Sequence, residues 1–416
     1  METMHVALII FLLTYVLIMV RLPGKLRIGR GVAALVGLTL MILLGVVTLM
    51  EAWRSVDFDV LFLLIGMMVL VVGLEYCGLF EVISKILVER FRSRKALLAG
   101  IMGISALLAA LVLNDAVVLL FTPIVIRTCA KIRADPIPFI VGMLMSANIG
   151  SVATAIGNPQ NAYIVSFAGL GFIDFSLHLA PVAVVCMPVA YLLLYAVFRK
   201  RIEIDVETKI HQEEPAEIDN ARLRFMIFIT MAMFAGFIVS SFLGVPLYVP
   251  AVCAAVIAVI VVLSKDHTQG PWVVKRVDWS IIAFFIGLFV VMEGVSVSGL
   301  LGELSSLFPG FGPGETPTIL SLSLFSLVLS NLVSNVPAVM LLSNLMPPDP
   351  EILWYVLAGA STLGGNATFL GSAANVIAAE SAERYGVEID LIRLMAIGIP
   401  MAVVTTGLMI IMLNLF

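Results

Sequence analysis

The sequence predicts an all-α polytopic membrane protein built from two inverted repeats, with about ten transmembrane helices, two re-entrant hairpins and discontinuous helices. Of the 416 residues, 61% are apolar and 12% are charged, whereas soluble domains have about 45–50% and about 25%. Apolar runs that are long enough to cross a bilayer, roughly 20 residues each, cover most of the chain. This composition excludes a soluble enzyme, a secreted disulfide scaffold and a nucleic-acid-binding protein.

Simple membrane crossings are predicted where an apolar run has the length of one span. These runs are 5–20, 32–50, 58–76, 175–198, 225–243, 247–263, 279–298 and 391–415. Two longer runs, 138–168 and 351–384, are interrupted by stretches rich in glycine and asparagine, at 157–161 and 364–372. We expect each of these two to be a broken helix.

Two further segments, 96–130 and 316–346, are predicted to be re-entrant hairpins. Each has a first arm of about one span, followed by a polar turn at Asn114-Asp115 or at Ser334–Pro337. The second arm is then about 11 residues, or roughly 16 Å of helix, too short to cross a hydrocarbon core of about 30 Å.

The distribution of positive charge supports the hairpins. With both hairpins re-entrant, 23 of the 24 Lys and Arg residues lie on one side, and only Arg54 lies opposite. If each hairpin were a single crossing, 11 basic residues would lie on one side of the membrane and 13 on the other. The positive-inside rule therefore favours hairpins, with both termini extracytoplasmic in a prokaryotic plasma membrane. Residues 1–198 form the first repeat, 199–224 a cytoplasmic linker and 225–416 the second repeat.

The two halves are related in sequence. Residues 56–79 align with 277–300 at an offset of 221, which also places Asn114 on Asn335. At an offset of 214, Gly150, Thr154 and Asn161 fall on Gly364, Thr368 and Asn375. Five crossings and one hairpin per half make the second half inverted. Inverted repeats with discontinuous helices are typical of secondary transporters, whose substrate site lies at the repeat interface.

Uncharged polar residues are concentrated at the hairpin turns and helix breaks. Their amides and hydroxyls offer both donors and acceptors to a substrate, although they could instead cap the breaks or join helices. The predicted substrate-binding residues are Asn114, Asn148, Ser151, Thr154, Asn158, Gln160, Asn161, Ser334, Asn335, Asn366, Thr368, Ser372 and Asn375, with Asn331 and Thr362 in the same set.

Asp115 is predicted to carry the coupling proton, because a carboxylate deep in a membrane is costly and functional by default. Its repeat partner is Val336. The alternative is a structural aspartate bonded to backbone N–H groups at the turn. Glu75 and Glu293 are interpreted as interfacial or packing groups, with a role in proton coupling as the alternative. We expect no metal site and no cofactor.

The expected solute follows from what the turns and breaks lack. No Lys or Arg lies within them, and the nearest is Arg127. A small uncharged solute with several hydroxyls, or a metal cation held by oxygens, therefore fits better than a dianion. No ATP-binding loop of the Walker A type occurs, so the energy source is a proton or other ion gradient, or a partner subunit.

Several motifs resemble the ion transporter superfamily: Asn114-Asp115 through Pro123, Ala147–Ser151 with Gly157–Asn161, and Ser334–Pro337. That superfamily includes arsenite efflux permeases, plant silicon efflux transporters, the melanosomal P protein, sodium/proton antiporters and sodium–dicarboxylate symporters. The resemblance implies an elevator-type carrier, with roughly 96–168 and 316–384 moving against the remaining spans. The paired Ser-Asn-Thr motif of the dicarboxylate branch is absent.

The leading hypothesis is therefore proton-coupled efflux of arsenite or antimonite. The alternatives are a sodium/proton antiporter, a carboxylate or other anion carrier, a gated channel, and the membrane subunit of an ATP-driven pump. In the last case, a soluble ATPase would contact the linker 199–224. The sequence also leaves open whether the protein forms a homodimer in the lipid bilayer.

The charge distribution generates a topology prediction. Single cysteines introduced in 127–135 should react with an impermeant thiol reagent only from the cytoplasm, and those in 343–350 only from outside. Cysteines in 199–224 provide the cytoplasmic reference. Labelling of both loops from the same side would contradict the inverted repeats.

Overall fold

The computed structural model describes residues 2–19, 29–91, 93–205, 218–307 and 316–415, which are almost entirely helical. A single isolated β-bridge, between Ala134 and Asp205, is the only strand-like pairing within these ranges. The helices are α1 Glu2–Met19, α2 Arg30–Leu43, α3 Leu49–Ser55, α4 Phe58–Tyr76, α5 Leu79–Arg90, α6 Arg94–Leu111, α7 Asn114–Lys131, α8 Pro136–Ser151, α9 Pro159–Ala168, α10 Phe172–Ile202, α11 Asn220–Leu243, α12 Tyr248–Lys265, α13 Gly270–Arg276, α14 Trp279–Val297, α15 Leu300–Leu307, α16 Ile319–Val333, α17 Asn335–Leu345, α18 Ile352–Gly364, α19 Ala373–Arg384 and α20 Leu391–Leu413.

Seven of the described helices are long and apolar enough to cross a membrane: α4, α6, α10, α11, α12, α14 and α20. Six of them coincide with predicted simple crossings, and α6 is the first arm of the first hairpin. The predicted crossings 5–20 and 32–50 fall on α1, which has 18 residues, and on α2, which has 14. The two long runs are broken. Four short helices, α3, α5, α13 and α15, were not predicted.

The first hairpin consists of α6 and α7, which pack against each other. Both ends of the hairpin lie on one side, because the Arg94 guanidinium donates to the carbonyls of Ile132 and Arg133, each at 3.2 Å. The expected arm of about 11 residues is wrong here, since α7 has 18 residues. The apolar run ends at Arg127, but the helix continues to Lys131, where basic residues favour a helix C-terminus. The second hairpin has the expected short arm, α17, of 11 residues.

Both long apolar runs are broken where glycine and asparagine cluster. The first break is 152–158, where Asn158 caps α9 and Pro159 occupies its first turn, a position that tolerates proline. The second break is 365–372, between α18 and α19. The predicted linker is shorter than expected, because α10 extends to Ile202 and α11 begins at Asn220. Residues 206–217 of that linker lie outside the described ranges.

The packing of the first ten helices recurs in the second ten. Helix α4 packs against α12, and α14, its counterpart ten places later, packs against α2. Both contacts are close at a glycine: a Cβ on Gly66 would lie 2.9 Å from the Ala251 carbonyl carbon, and one on Gly287 would overlap the Ala34 backbone. Likewise α6 packs on α8, and α16 on α18. These contacts bring the hairpin turns and helix breaks together at the centre.

Candidate functional site

Each hairpin turn is joined to the helix break of its own half. The Asn114 backbone N–H donates to the Gly157 carbonyl at 2.9 Å, where α7 begins. In the second half, the Asn331 amide donates to the Gly364 carbonyl at 2.8 Å. These bonds occupy carbonyl groups that the interrupted helices leave without a helical partner. The turns and breaks therefore form one structural unit.

The two breaks are closed by equivalent asparagines in the same way. The Asn161 amide donates to the carbonyls of Ser151 and Thr154, both at 3.1 Å. The Asn375 amide donates to the carbonyls of Gly365 and Thr368, both at 2.9 Å. In both breaks, the two accepting carbonyls lie ten and seven residues before the asparagine. These two NH₂ groups satisfy backbone carbonyls and are not available to a solute.

Asn148 is the centre of a network that crosses between the halves. Its side-chain oxygen accepts from Asn114 at 3.1 Å and from the Ser372 hydroxyl at 3.2 Å. Its amide nitrogen donates to the side-chain oxygens of Asn366 at 2.9 Å and Asn375 at 3.4 Å. All five residues are buried. Asn148 therefore couples the first hairpin turn to the second helix break.

A second cross-link between the halves is centred on Thr362. Its hydroxyl accepts from Asn158 and from Gln160, each at 3.2 Å. In the amide orientation that satisfies both of its polar atoms, Asn335 accepts from Gln160 at 3.1 Å and donates to the Ser361 carbonyl at 3.1 Å. Gln160 thus joins the first break to the second hairpin.

A cavity of about 310 Å³ lies in front of this network. Its other wall is formed by apolar residues of α14, among them Ile281, Phe284 and Phe285. Six of the predicted polar residues line it: Asn114, Asp115, Gln160, Ser334, Asn335 and Ser372. The remaining predicted residues are not in the wall of this cavity: Asn148, Ser151, Thr154, Asn158, Asn161, Asn331, Thr362, Asn366, Thr368 and Asn375. Two of them, Asn331 and Thr368, line a neighbouring cavity of about 750 Å³. Both halves therefore contribute to the wall.

Asp115 lies at the cavity with 7% of its surface exposed. Among the residues that the structure describes, no hydrogen bond or ion pair is made by its carboxylate. The alternative of an aspartate bonded to backbone N–H groups at the turn is therefore not observed. The side-chain oxygen of its neighbour Asn114 is also buried without a hydrogen-bond partner in the described part. Both groups are positioned to interact with a solute or a proton.

Three further charged residues line the cavity, and the sequence did not indicate them: Arg30, Asp278 and Glu380. The expectation that Arg127 is the nearest basic residue is wrong, because α2 packs against α14 and brings Arg30 to the cavity. Arg127 instead lines a separate cavity of about 730 Å³, where Arg276 pairs with Glu75 at 3.1 Å.

No group of three or more His, Cys, Asp or Glu residues suited to a metal ion is present in the described ranges. Of the four cysteines, Cys77, Cys129 and Cys186 are buried and Cys253 is exposed. None of them lines the cavity. The site therefore offers oxygen and amide groups, not thiolates.

Comparisons with known proteins agree with this architecture. The family model described as "Citrate transporter", CitMHS, matches residues 15–358. The silicon efflux transporter LSI3 of rice (Oryza sativa subsp. japonica) is 28% identical, over 86% of this chain and 86% of its own length. The putative transporter arsB of Dictyostelium discoideum is 26% identical, over 90% and 85%. The crystal structure of the YdaH transporter of Alcanivorax borkumensis has the same fold, with a TM-score of 0.63 at 16% identity, over 100% of this chain and 97% of that chain.

The network predicts that Asn148 is needed for stability. Asn148→Ala should lower the free energy of unfolding by about 2–4 kcal/mol, because several buried groups lose a partner at once, each at about 1–3 kcal/mol. Ser146→Ala is the matched control, since this buried serine on the same helix bonds, among the described residues, to the Met143 carbonyl alone. Thermal denaturation in detergent measures both. Equal effects of the two substitutions would contradict the network.

Proposed function

This chain belongs to the CitMHS citrate transporter family, and from that premise we propose that it is a secondary transporter that exports arsenite or antimonite in exchange for protons. Its location would be a prokaryotic plasma membrane, with both termini extracytoplasmic. No cofactor is needed for this reaction, because a proton gradient supplies the energy.

The polar wall of the cavity carries the proposal. Arsenous acid is small and uncharged near neutral pH, and it presents three hydroxyls that both donate and accept hydrogen bonds. Amides and hydroxyls from both halves can pair with it, among them Gln160, Asn335 and Ser372. The buried, unpartnered oxygen of Asn114 can accept one of its O–H groups. Among the relatives, the rice protein is named a silicon efflux transporter and the Dictyostelium protein a putative transporter arsB.

Citrate is the second candidate, because the family carries its name and Arg30 lies at the cavity. The charge of the cavity argues against it. Three carboxylates, of Asp115, Asp278 and Glu380, face one guanidinium. When ionised, they leave a net negative charge, which repels a multiply charged anion.

The proposed mechanism is an elevator movement of one body against another in two inverted repeats. The hydrogen bonds among the turns and breaks support a body that moves as a unit, and it contains 96–168 and 316–384. Packing extends this body to α10 and α20, since α10 lies on α8 and α20 lies on α18. The remaining helices, α1–α5 and α11–α15, form the scaffold.

Asp115 is proposed as the proton carrier for this exchange. It is one of three carboxylates at the cavity and the only one on a hairpin turn. Protonation would remove its charge and allow the body to cross the apolar wall of α14. A soluble ATPase bound at the linker 199–224 and a homodimer remain compatible with this mechanism.

Transport in proteoliposomes tests the substrate. With an imposed pH gradient, arsenite and antimonite should accumulate, whereas arsenate, citrate and succinate should not. A variant with all four cysteines replaced should retain transport, because none of them lines the cavity. Sodium-dependent uptake of citrate or succinate without a response to arsenite would overturn the assignment.

Substitution of Asp115 tests the coupling. Asp115→Asn should abolish arsenite accumulation driven by the pH gradient, because an amide cannot titrate in this range. Exchange of arsenite without a gradient should persist, because an amide still forms hydrogen bonds. Glu75→Gln is the control, since Glu75 lies at the other cavity. Unchanged pH dependence in Asp115→Asn would exclude it as the carrier.

A further inference from the structure

The first helix break fixes the orientation of the Gln160 amide. Asn161 directs its NH₂ group at two backbone carbonyls of the break, so its side-chain oxygen is the atom that accepts from the Thr362 hydroxyl, at 3.5 Å. A hydroxyl has one hydrogen to donate. Thr362 therefore accepts at its other two contacts, from Asn158 and from Gln160. It follows that the Gln160 nitrogen points into the protein.

The second hairpin fixes the same amide independently. The Asn335 nitrogen donates to the backbone carbonyls of Ser361 and Gly371, so its oxygen faces Gln160 and accepts from it at 3.1 Å. Both N–H groups of Gln160 are thus used inside the protein. Within the described ranges, the side-chain oxygen of Gln160 accepts no hydrogen bond. Because Gln160 lines the cavity, this oxygen is the polar atom that its side chain has left for a solute.

The second helix break orients a further set of groups in the same way. Asn375 and Asn366 donate to backbone carbonyls, so their side-chain oxygens accept from Asn148. The Asn148 oxygen is then the acceptor for Asn114 and for the Ser372 hydroxyl, both of which line the cavity. The Asn114 oxygen is left without a partner in the described part of the chain. Ser372 has used its hydrogen and keeps its lone pairs.

We propose that the two helix breaks turn this wall of the cavity into a surface of hydrogen-bond acceptors, which selects a solute by the O–H groups that it donates. The inference rests on the proposed transport of a neutral hydroxide, and it specifies which feature of that solute is recognised. The oxygens of Gln160, Asn114 and Ser372 accept, as does the ionised Asp115 carboxylate. The asparagines at the breaks are positioning residues, because they set the direction of these bonds from outside the wall.

The donors at the cavity complement this surface. Arg30 lies on α2, in the scaffold, and lines the cavity. Asp115 and Ala373 lie in the first turns of α7 and α19, whose backbone N–H groups have no partner within the helix. The hydroxyls of Ser280 and Ser334 can take either role. A hydroxide has oxygens for these donors and hydrogens for the amide oxygens, whereas an oxyanion without hydrogen pairs with the donors alone.

Solutes that differ in their number of O–H groups test this selection. Arsenous, methylarsonous and dimethylarsinous acid form one uncharged series, boric and methylboronic acid form a second, and dimethyl sulfoxide has an acceptor oxygen but no O–H group. In a chain with the four native cysteines replaced, held in lipid nanodiscs, the rise in melting temperature with solute concentration gives each Kd. Affinity should fall about tenfold for each hydroxyl replaced by methyl, because one acceptor loses its donor. Dimethyl sulfoxide should bind most weakly.

Substitutions at the wall locate the acceptors. Gln160→Met removes one acceptor at similar side-chain length and should weaken the binding of arsenous acid about tenfold. Replacement of one hydroxyl by methyl should then cost less than in the parent, because the partner of that hydroxyl is gone. Ser372→Ala removes another acceptor by a smaller change and should act in the same way, also where Gln160→Met does not fold. Ser146→Ala, a buried serine of α8 outside the wall, should keep the ranking of the parent.

The outcomes separate this inference from the proposed function. An affinity that does not depend on the number of O–H groups overturns the selection, even when arsenite accumulates in proteoliposomes. Equal losses for every solute in Gln160→Met and Ser372→Ala, or failure of every solute to bind, overturn it as well. A graded boron series supports the selection, even when arsenite is not transported.

Discussion

Backbone groups that are freed at the two helix breaks are the constraint on which the rest of the structure depends. In hydrocarbon, each unpaired N–H or C=O costs several kcal/mol, so a break persists only where other groups replace the helical bonds. Asn161 and Asn375 do this with the same pair of contacts in each half. The hairpin turns then pack over the breaks, and Asn148 bonds across to the other half. The cavity exists because these bonds keep two interrupted helices stable beside it.

The polar residues divide into two groups with different tasks. Those behind the wall, such as Asn158 and Asn161, use their amides on backbone and neighbouring side chains. Those at the wall, such as Gln160 and Asn335, have a face toward the cavity. Loss of transport on substitution therefore has a different meaning in each group. In the first group it would reflect loss of the fold around the break, and in the second, under the proposed function, loss of a contact to the solute.

The sequence contains enough information for the breaks and turns but not for the charged wall of the cavity. Asn158-Pro159 is a local capping signal, so the start of the helix that follows can be predicted without knowledge of tertiary contacts. The length of α7 was missed because hydropathy falls at Arg127 while helix propensity does not. Arg30 reaches the cavity only through the packing of α2 on α14. Asp278 and Glu380 also line the cavity, although neither lies in a hairpin turn or a helix break.

The chain passes between the proposed scaffold and the moving body at only three places, and the shortest is the connection between α5 and α6. Only residues 91–93 separate Arg90 from Arg94, and a fully extended chain of this length reaches about 14 Å. Arg94 is itself held at the end of α7 by its bonds to Ile132 and Arg133. A longer stroke than this tether allows must pull on α5, which packs against α7. In the proposed movement, the short helix α5 would therefore limit how far the body travels.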